Sequence, residues 1–221
     1  DPFVTGEYYH VYNRGIDKRS IFQSEKDFER FTMLLSISNS NTKKNLRLDN
    51  LINQQHKNLT EILAVDKEPR LVSIGAWCLM DNHFHLVIKQ EVDGGITKFM
   101  RKLGVGYSMF FNIKYKRQGA LFGGPFKSKL IDSDDIYLRQ LLAYLHLNPL
   151  DIKFFGWEKN VTFQREKMKE FLLSYRYSSY TEYIGGQRIE GVIINREAFP
   201  EYFTQDTSFE KFLNEYLETL N

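Results

Sequence analysis

The decisive stretch runs Arg70-Leu71-Val72-Ser73-Ile74-Gly75-Ala76-Trp77-Cys78-Leu79-Met80, then Asp81-Asn82, then His83-Phe84-His85-Leu86-Val87-Ile88-Lys89. Two apolar runs of strand length, 70–80 and 83–89, are parted by a polar pair, which reads as a β-hairpin. Residues two apart on a strand project from one face. His83 and His85 therefore point to one side, and Phe84, Leu86 and Ile88 to the other. Two imidazoles so placed can share one divalent cation; they can equally be solvated or hydrogen-bonded histidines, and a metal needs further ligands.

On the N-terminal side of this hairpin, the alternating, aromatic-rich residues 6–13 predict a strand, and Arg14-Gly15 opens a turn. Phe28, Phe31, Leu34 and Leu35 recur at helical spacing within 24–38, with Ser24 as N-cap and Asp27 three residues on. Residues 39–46 are polar and read as a loop. Leu48, Leu51, Ile52, Leu59, Ile62 and Leu63 predict a second amphipathic helix. On the C-terminal side, a long helix is expected over 94–117, with Ile96, Phe99, Met100, Leu103, Tyr107, Phe110 and Phe111 on one side and Gly119 at its end. Residues 120–131 predict a strand interrupted by Gly123-Gly124-Pro125. A helix over 134–148 follows, with Asp132 or Ser133 as cap, Asp134 and Asp135 at its positive end, and Pro149 as its stop. Beyond 150 the pattern weakens and turns tyrosine-rich, closing on an amphipathic helix from Phe209 to Leu220. The order β-α-(α)-β-β-α-β-α predicts an α+β fold: a ferredoxin-like antiparallel sheet with packed helices and a C-terminal helical extension.

Composition narrows the function classes. Hydrophobic residues make up 42% of the 221 and aromatics 15%, which suits a packed core rather than a disordered chain. No apolar run is long enough to span a bilayer, and the first residues lack the pattern of a signal peptide. Cys78 is the single cysteine, so an intramolecular disulfide, a cysteine zinc cluster and an iron–sulfur site are excluded, and a cytoplasmic location is expected. From Lys98 to Lys129 there are eight basic residues and no acidic one, whereas Glu201 to Asn221 holds five acids against one lysine. The first stretch is either a face for a polyanion or a solvated helix surface.

A second chemical signal is Leu141-Leu142-Ala143-Tyr144-Leu145-His146-Leu147-Asn148-Pro149. Tyr144 and Asn148 are four apart and share a helical face. The Asn148 amide oxygen suits a hard cation such as Mg²⁺ or Mn²⁺, and a phenol beside it can act as a nucleophile or simply pack. His146 faces elsewhere, His10 and His56 have no partner at ligand spacing, and Asp134 and Asp135 serve the helix start.

Taken together, these segments resemble the single-tyrosine HUH transposases, in particular the group associated with repetitive extragenic palindromes. Tyr8-Tyr9-His10-Val11-Tyr12-Asn13-Arg14-Gly15 resembles that family's first strand and turn, and Trp77 to Val87 its central hairpin with His83-Phe84-His85. Gly119-Ala120-Leu121-Phe122 and Phe126-Lys127 resemble its last strand, and Tyr144 to Pro149 its nucleophile segment. Tyr175 to Tyr180 is similar to the group's C-terminal extension. The resemblance implies a catalytic domain over 1–150, with an insertion at 40–68, and an extension over 151–221. It implies Tyr144 as nucleophile, with His83, His85 and Asn148 holding Mg²⁺ or Mn²⁺. It further implies cleavage and rejoining of single-stranded or hairpin palindromic-repeat DNA through a 5′-phosphotyrosine, by a monomer or homodimer away from membranes. Expected DNA contacts are Arg14, Arg101, Lys102, Lys114, Lys116, Arg117, Lys127 and Lys129. The same chemistry would serve a replication initiator or a relaxase, and a domesticated relative would bind DNA without cutting it.

Overall fold

Three apolar, alternating segments and one short edge strand build the sheet, which sets the site's position. In the computed structural model, residues 3–41, 48–53, 57–65, 68–131, 135–159, 161–200 and 206–218 are described. Strand β1 spans Tyr8–Arg14, and helix α1 spans Glu25–Ile37. Helices α2 (Leu48–Asn53) and α3 (Leu59–Leu63) lead to β2 (Val72–Met80) and β3 (His83–Gln90). Helix α4 (Gly95–Lys114), strand β4 (Lys127–Ile131) and helix α5 (Asp135–Leu147) follow. The extension holds α6 (Leu150–Lys153), α7 (Val161–Ser174), α8 (Tyr180–Tyr183) and α9 (Asp206–Glu218).

The four strands lie in the order β2-β3-β1-β4, every neighbouring pair antiparallel. This is the ferredoxin-like arrangement expected from the element order. The hairpin closes where its polar pair stands, with Met80 opposite His83. Between Ile74 and Ala76 the register of β2 shifts. Gly75 sits at that irregularity under the ring of Phe199, where a Cβ would come within 2.6 Å of ring carbon, so a larger residue would push the ring away.

Each face of the sheet has its own core. Tyr9 and Val11 of β1, Trp77 and Leu79 of β2, and Phe84, Leu86 and Ile88 of β3 pack with Phe31 and Leu35 of α1 and Phe99, Leu103 and Tyr107 of α4. On the other face, Ala76, Cys78, Met80, Val87 and Ile131 pack under Leu138, Leu142 and Leu145 of α5, with Tyr183 and Phe209 of the extension. The odd–even alternation of the strands thus sends one apolar set to α1 and α4 and the other to α5.

Several local expectations need correction. The second amphipathic helix is two short ones, because Asn58 caps a new start: its side chain accepts from the Glu61 N–H at 3.0 Å, and Glu61 accepts from the Asn58 N–H at 2.9 Å. Helix α7 lies where the sequence pattern had faded. The expected strand at 120–131 begins only at Lys127, since Gly123-Gly124-Pro125 breaks it as anticipated; upstream, a lone bridge joins Phe122 to Gly15. Asp132, Ser133, Asp134 and His56 lie outside the described residues. The Ser24 start of α1 holds, with the Ser24 N–H donating to Asp27 at 2.9 Å.

The extension is stitched to the outer edge of β2. Ser178 bridges Cys78, the Leu79 N–H donates to the Tyr177 carbonyl at 2.9 Å, and the Ser179 N–H donates to the Trp77 carbonyl at 2.9 Å. His146 locks the same seam from α5. Its Nδ1 bonds the Leu142 carbonyl at 2.9 Å and its Nε2 bonds the Ser179 hydroxyl at 2.8 Å, all fully buried. The carbonyl can only accept, so the neutral ring carries its hydrogen on Nδ1 and accepts from Ser179. Burial pushes its pKa down to about 3, against a smaller opposing effect of the carbonyl. The unfolded chain therefore takes up this proton first. Stability is full above about pH 6.5 and is lost as pH falls towards 3, by at most roughly 1.4 kcal/mol per unit. Urea unfolding at pH 7 and pH 5 should show a larger loss for the wild type than for His146→Gln; equal losses would contradict this account.

Candidate active site

The strand register assembles the site on the face covered by α5. Tyr12 lies opposite His85, and Arg14 opposite His83. On the other flank of β1, Tyr12 lies opposite Lys127 and His10 opposite Lys129. Directly opposed residues share a face. His10, Tyr12, Arg14, His83, His85, Lys127 and Lys129 therefore occupy one surface. Tyr12, Arg14, His83, His85 and Lys127 line a cleft of about 480 Å³ together with Gly123, Gly124, Pro125 and Tyr144.

Tyr144 reaches this cleft from α5. Its ring stands edge-on to His85, with centroids 5.6 Å apart and planes at 84°, and it is 47% exposed. The rings of His83 and His85 are perpendicular, 5.0 Å apart. His83 Nδ1 lies 2.6 Å from the Asn82 amide oxygen, and the Asn82 amide nitrogen donates to the Lys18 carbonyl at 3.0 Å. His85 Nδ1 lies 2.9 Å from His10 Nε2, while His85 Nε2 is buried without a hydrogen-bond partner.

Burial keeps these imidazoles neutral. It lowers His83 to about 4, with a further push from Arg14, and lowers His85 further still, with His10, His83 and Arg14 adding to the effect. His10 is lowered to about 4, by burial first and Lys129 second. Neutral rings with free lone pairs are the form that binds a metal. The orphaned, buried Nε2 of His85 beside a second neutral imidazole fits a divalent cation. Among the described residues, no cluster of three or more His, Cys, Asp or Glu converges on one point, so further ligands would have to be amide, water or substrate oxygens.

Asn148 is not in this cleft. It lines a small neighbouring cavity with Tyr144, Leu147, Asp151, Trp157, Glu158 and Tyr216, and its amide nitrogen is buried without a partner. Tyr144 borders both spaces. The basic residues divide as well. Arg14 and Lys127 line the histidine cleft, and Lys129 stands on the same face, 4.1 Å from the Tyr137 ring. Arg101, Lys102 and Lys114 belong to α4, on the opposite face of the sheet. Lys114 is taken up by the fold: it bonds the buried Asp27 carboxylate at 2.6 Å, which also accepts from Tyr115 at 2.6 Å. Lys102 donates to the Ser40 carbonyl at 2.9 Å. Just beyond α4, Arg117 stacks on Phe111, and Lys116 holds a positive φ of 50°.

His10 escaped the sequence reading, which gave it no partner. Its alternation with Tyr8 and Tyr12 marked its face, but only the pairing of β1 with β3 brings it to His85. The cleft's glycine-proline rim also escaped, because in sequence it reads as a plain bend.

The family model described as "Transposase IS200 like" matches residues 43–146, a span that includes His83, His85 and Tyr144 and leaves out β1 and Asn148. No curated protein matches the chain. Among solved structures, the chain is similar to one described as "Structure of the REP associates tyrosine transposase bound to a REP hairpin", at 11% identity over 86% of this chain and 87% of that one, with a TM-score of 0.49. It is also similar to tRNA(His) guanylyltransferase from Saccharomyces cerevisiae, at 12% identity over 92% of this chain and 85% of that one, with a TM-score of 0.35.

Proposed function

We propose that this chain, whose residues 43–146 match the IS200-like transposase family, cuts and rejoins single-stranded or hairpin DNA with Tyr144 as nucleophile. One observation carries the reading: a half-exposed phenol stands edge-on to one of two neutral, adjacent imidazoles, in a cleft flanked by Arg14 and Lys127. The other phenol in the cleft, Tyr12, instead lies flat against His85 from within the sheet.

His83 and His85 would hold Mg²⁺ or Mn²⁺, with Asn148 as third ligand if the C-terminal end of α5 turns it towards the cleft. The ion would draw charge from a non-bridging oxygen of the scissile phosphate. Arg14 and Lys127 would hold the flanking phosphates in register. The Tyr144 oxygen would attack phosphorus in line. A tyrosine–phosphorus ester bond would form, the bond to the 3′ oxygen would break, and that oxygen would leave protonated as a 3′-OH. The phosphodiester energy is conserved in the new bond, so an incoming 3′-OH can reverse the step and join a second strand. A water nucleophile would forfeit that reversal.

The test is incubation with hairpin oligonucleotides labelled on the 3′ side of the cut, with Mn²⁺ or with EDTA. A denaturation-resistant protein–DNA adduct carrying the label is expected only with the metal. Tight hairpin binding with no adduct under any metal would replace this reading with that of a non-cutting DNA-binding relative.

The basic face makes a second prediction. Arg14 and Lys127 each stand where a phosphate contact would release condensed counterions. Losing one contact to single-stranded DNA should flatten the logarithmic salt dependence of binding by about 0.7. Arg14→Ala with Lys127→Ala should therefore flatten it by roughly 1.4, with little change in sequence preference. The same measurement on Lys116→Ala with Arg117→Ala shows whether DNA also follows the end of α4. A slope unchanged in the first pair would mean that the strand does not run over the histidine face.

A further inference from the structure

His85 and His10 form the only ring-to-ring hydrogen bond among the described histidines, 2.9 Å from Nδ1 to Nε2, with the rings stacked at 19° and 5.1 Å between centroids. Both are buried. One hydrogen lies between the two nitrogens. If His10 donates it, His85 keeps its own hydrogen on Nε2, a buried donor facing no acceptor. If His85 donates it from Nδ1, its Nε2 becomes a bare, buried lone pair on a residue that lines the cleft. An unsatisfied buried donor is costly, and an unprotonated nitrogen there is a ligand in waiting.

His83 follows the same pattern by a different device. Its Nδ1 faces the Asn82 amide oxygen at 2.6 Å, and that amide is oriented by its own bond to the Lys18 carbonyl. An amide oxygen only accepts, so His83 carries its hydrogen on Nδ1 and its lone pair on Nε2. Asn82 and His10 thus do the same work for the two imidazoles, from the turn and from the neighbouring strand.

We infer that His10 is a positioning residue for the metal pair: it accepts a hydrogen bond from His85 Nδ1 and so fixes the tautomer and ring angle that present His85 Nε2 to a cation. The inference rests on the metal-assisted reading above. Partners of this kind, bonded to the far nitrogen of a ligating histidine, generally influence metal affinity by 10–100-fold. Here the acceptor is a neutral imidazole. It holds the ring without adding negative charge beside a phosphate.

The test is Mn²⁺ binding to the DNA-free protein, followed by electron paramagnetic resonance, for wild type, His85→Ala, His10→Phe and His10→Gln. His10→Phe keeps an aromatic ring beside Tyr12 and removes the acceptor; His10→Gln restores an oxygen acceptor on a side chain of similar reach. The expected result is a 10–100-fold weaker Mn²⁺ affinity for His10→Phe, substantial recovery in His10→Gln, and loss of the site in His85→Ala. Wild-type affinity in His10→Phe, with binding lost in His85→Ala, would overturn the role of His10 alone. Wild-type affinity in His85→Ala would instead overturn the metal reading of the histidine pair. A direct check needs no variant: nitrogen-15 spectra of the wild type in EDTA should show His85 protonated on Nδ1, and a hydrogen on Nε2 would refute the inference even if His10→Phe failed to fold.

Discussion

Tyr144→Phe is expected to remove the covalent protein–DNA adduct, lowering its rate of formation on the order of 10³-fold or more while leaving hairpin affinity close to wild type. The argument is local. The substitution deletes one oxygen, and no other tyrosine among the described residues stands in the cleft except Tyr12, which projects from β1 and stacks on His85 and His10. Tyr144 is 47% exposed, so losing its hydroxyl should change stability by no more than about 0.5 kcal/mol. Loss of adduct can then be read as loss of chemistry. Adduct at the normal rate in the phenylalanine variant would disqualify Tyr144, and Tyr12→Phe is the next variant to make.

His83→Ala should abolish Mg²⁺- or Mn²⁺-dependent cleavage to a similar extent with the fold intact, because His83 is only partly buried and its imidazole hydrogen bond is to a turn residue. His85→Ala should do the same at a structural cost. It opens space in a buried layer and strands His10 Nε2, a penalty of about 1–3 kcal/mol. His83 is therefore the cleaner probe. Both rings are held neutral by burial well below their ordinary range, so histidine protonation should not limit cleavage between pH 8 and 6. Metal-dependent cutting at the wild-type rate by His83→Ala would end the two-histidine assignment. A steep loss of wild-type rate between pH 8 and 6, matched by loss of bound metal, would show that the rings are not neutral in the working site.

The fold was largely legible because its signals are periodic. The two apolar runs around Asp81-Asn82, the aromatic alternation of 6–13 and the 3.6-residue spacing of α1, α4 and α5 each specify an element from a few neighbouring residues. Pairing of His83 with His85 also followed from the sequence alone, since a strand's period is 2. Short segments carried less: Asn58 split one expected helix in two, and α7 lacked a clear apolar stripe.

What only tertiary structure decided is which residues meet across elements. Sequence spacing relates neighbours on one strand or helix, and it cannot give the register between strands or the side of the sheet on which a helix lands. The β1–β3 register brings His10 to His85, and the β1–β4 register puts Lys127 and Lys129 on the histidine face. Packing sends α4 to the opposite face, so a basic stretch that is continuous from Lys98 to Lys129 in sequence is divided in space, and Lys114 is neutralised by the buried Asp27. Likewise α5 places Tyr144 on the border of the cleft and Asn148, one turn on, in the neighbouring cavity; a four-residue spacing puts the two side chains on one helical face, but only packing against the sheet and the extension decides which space each one lines.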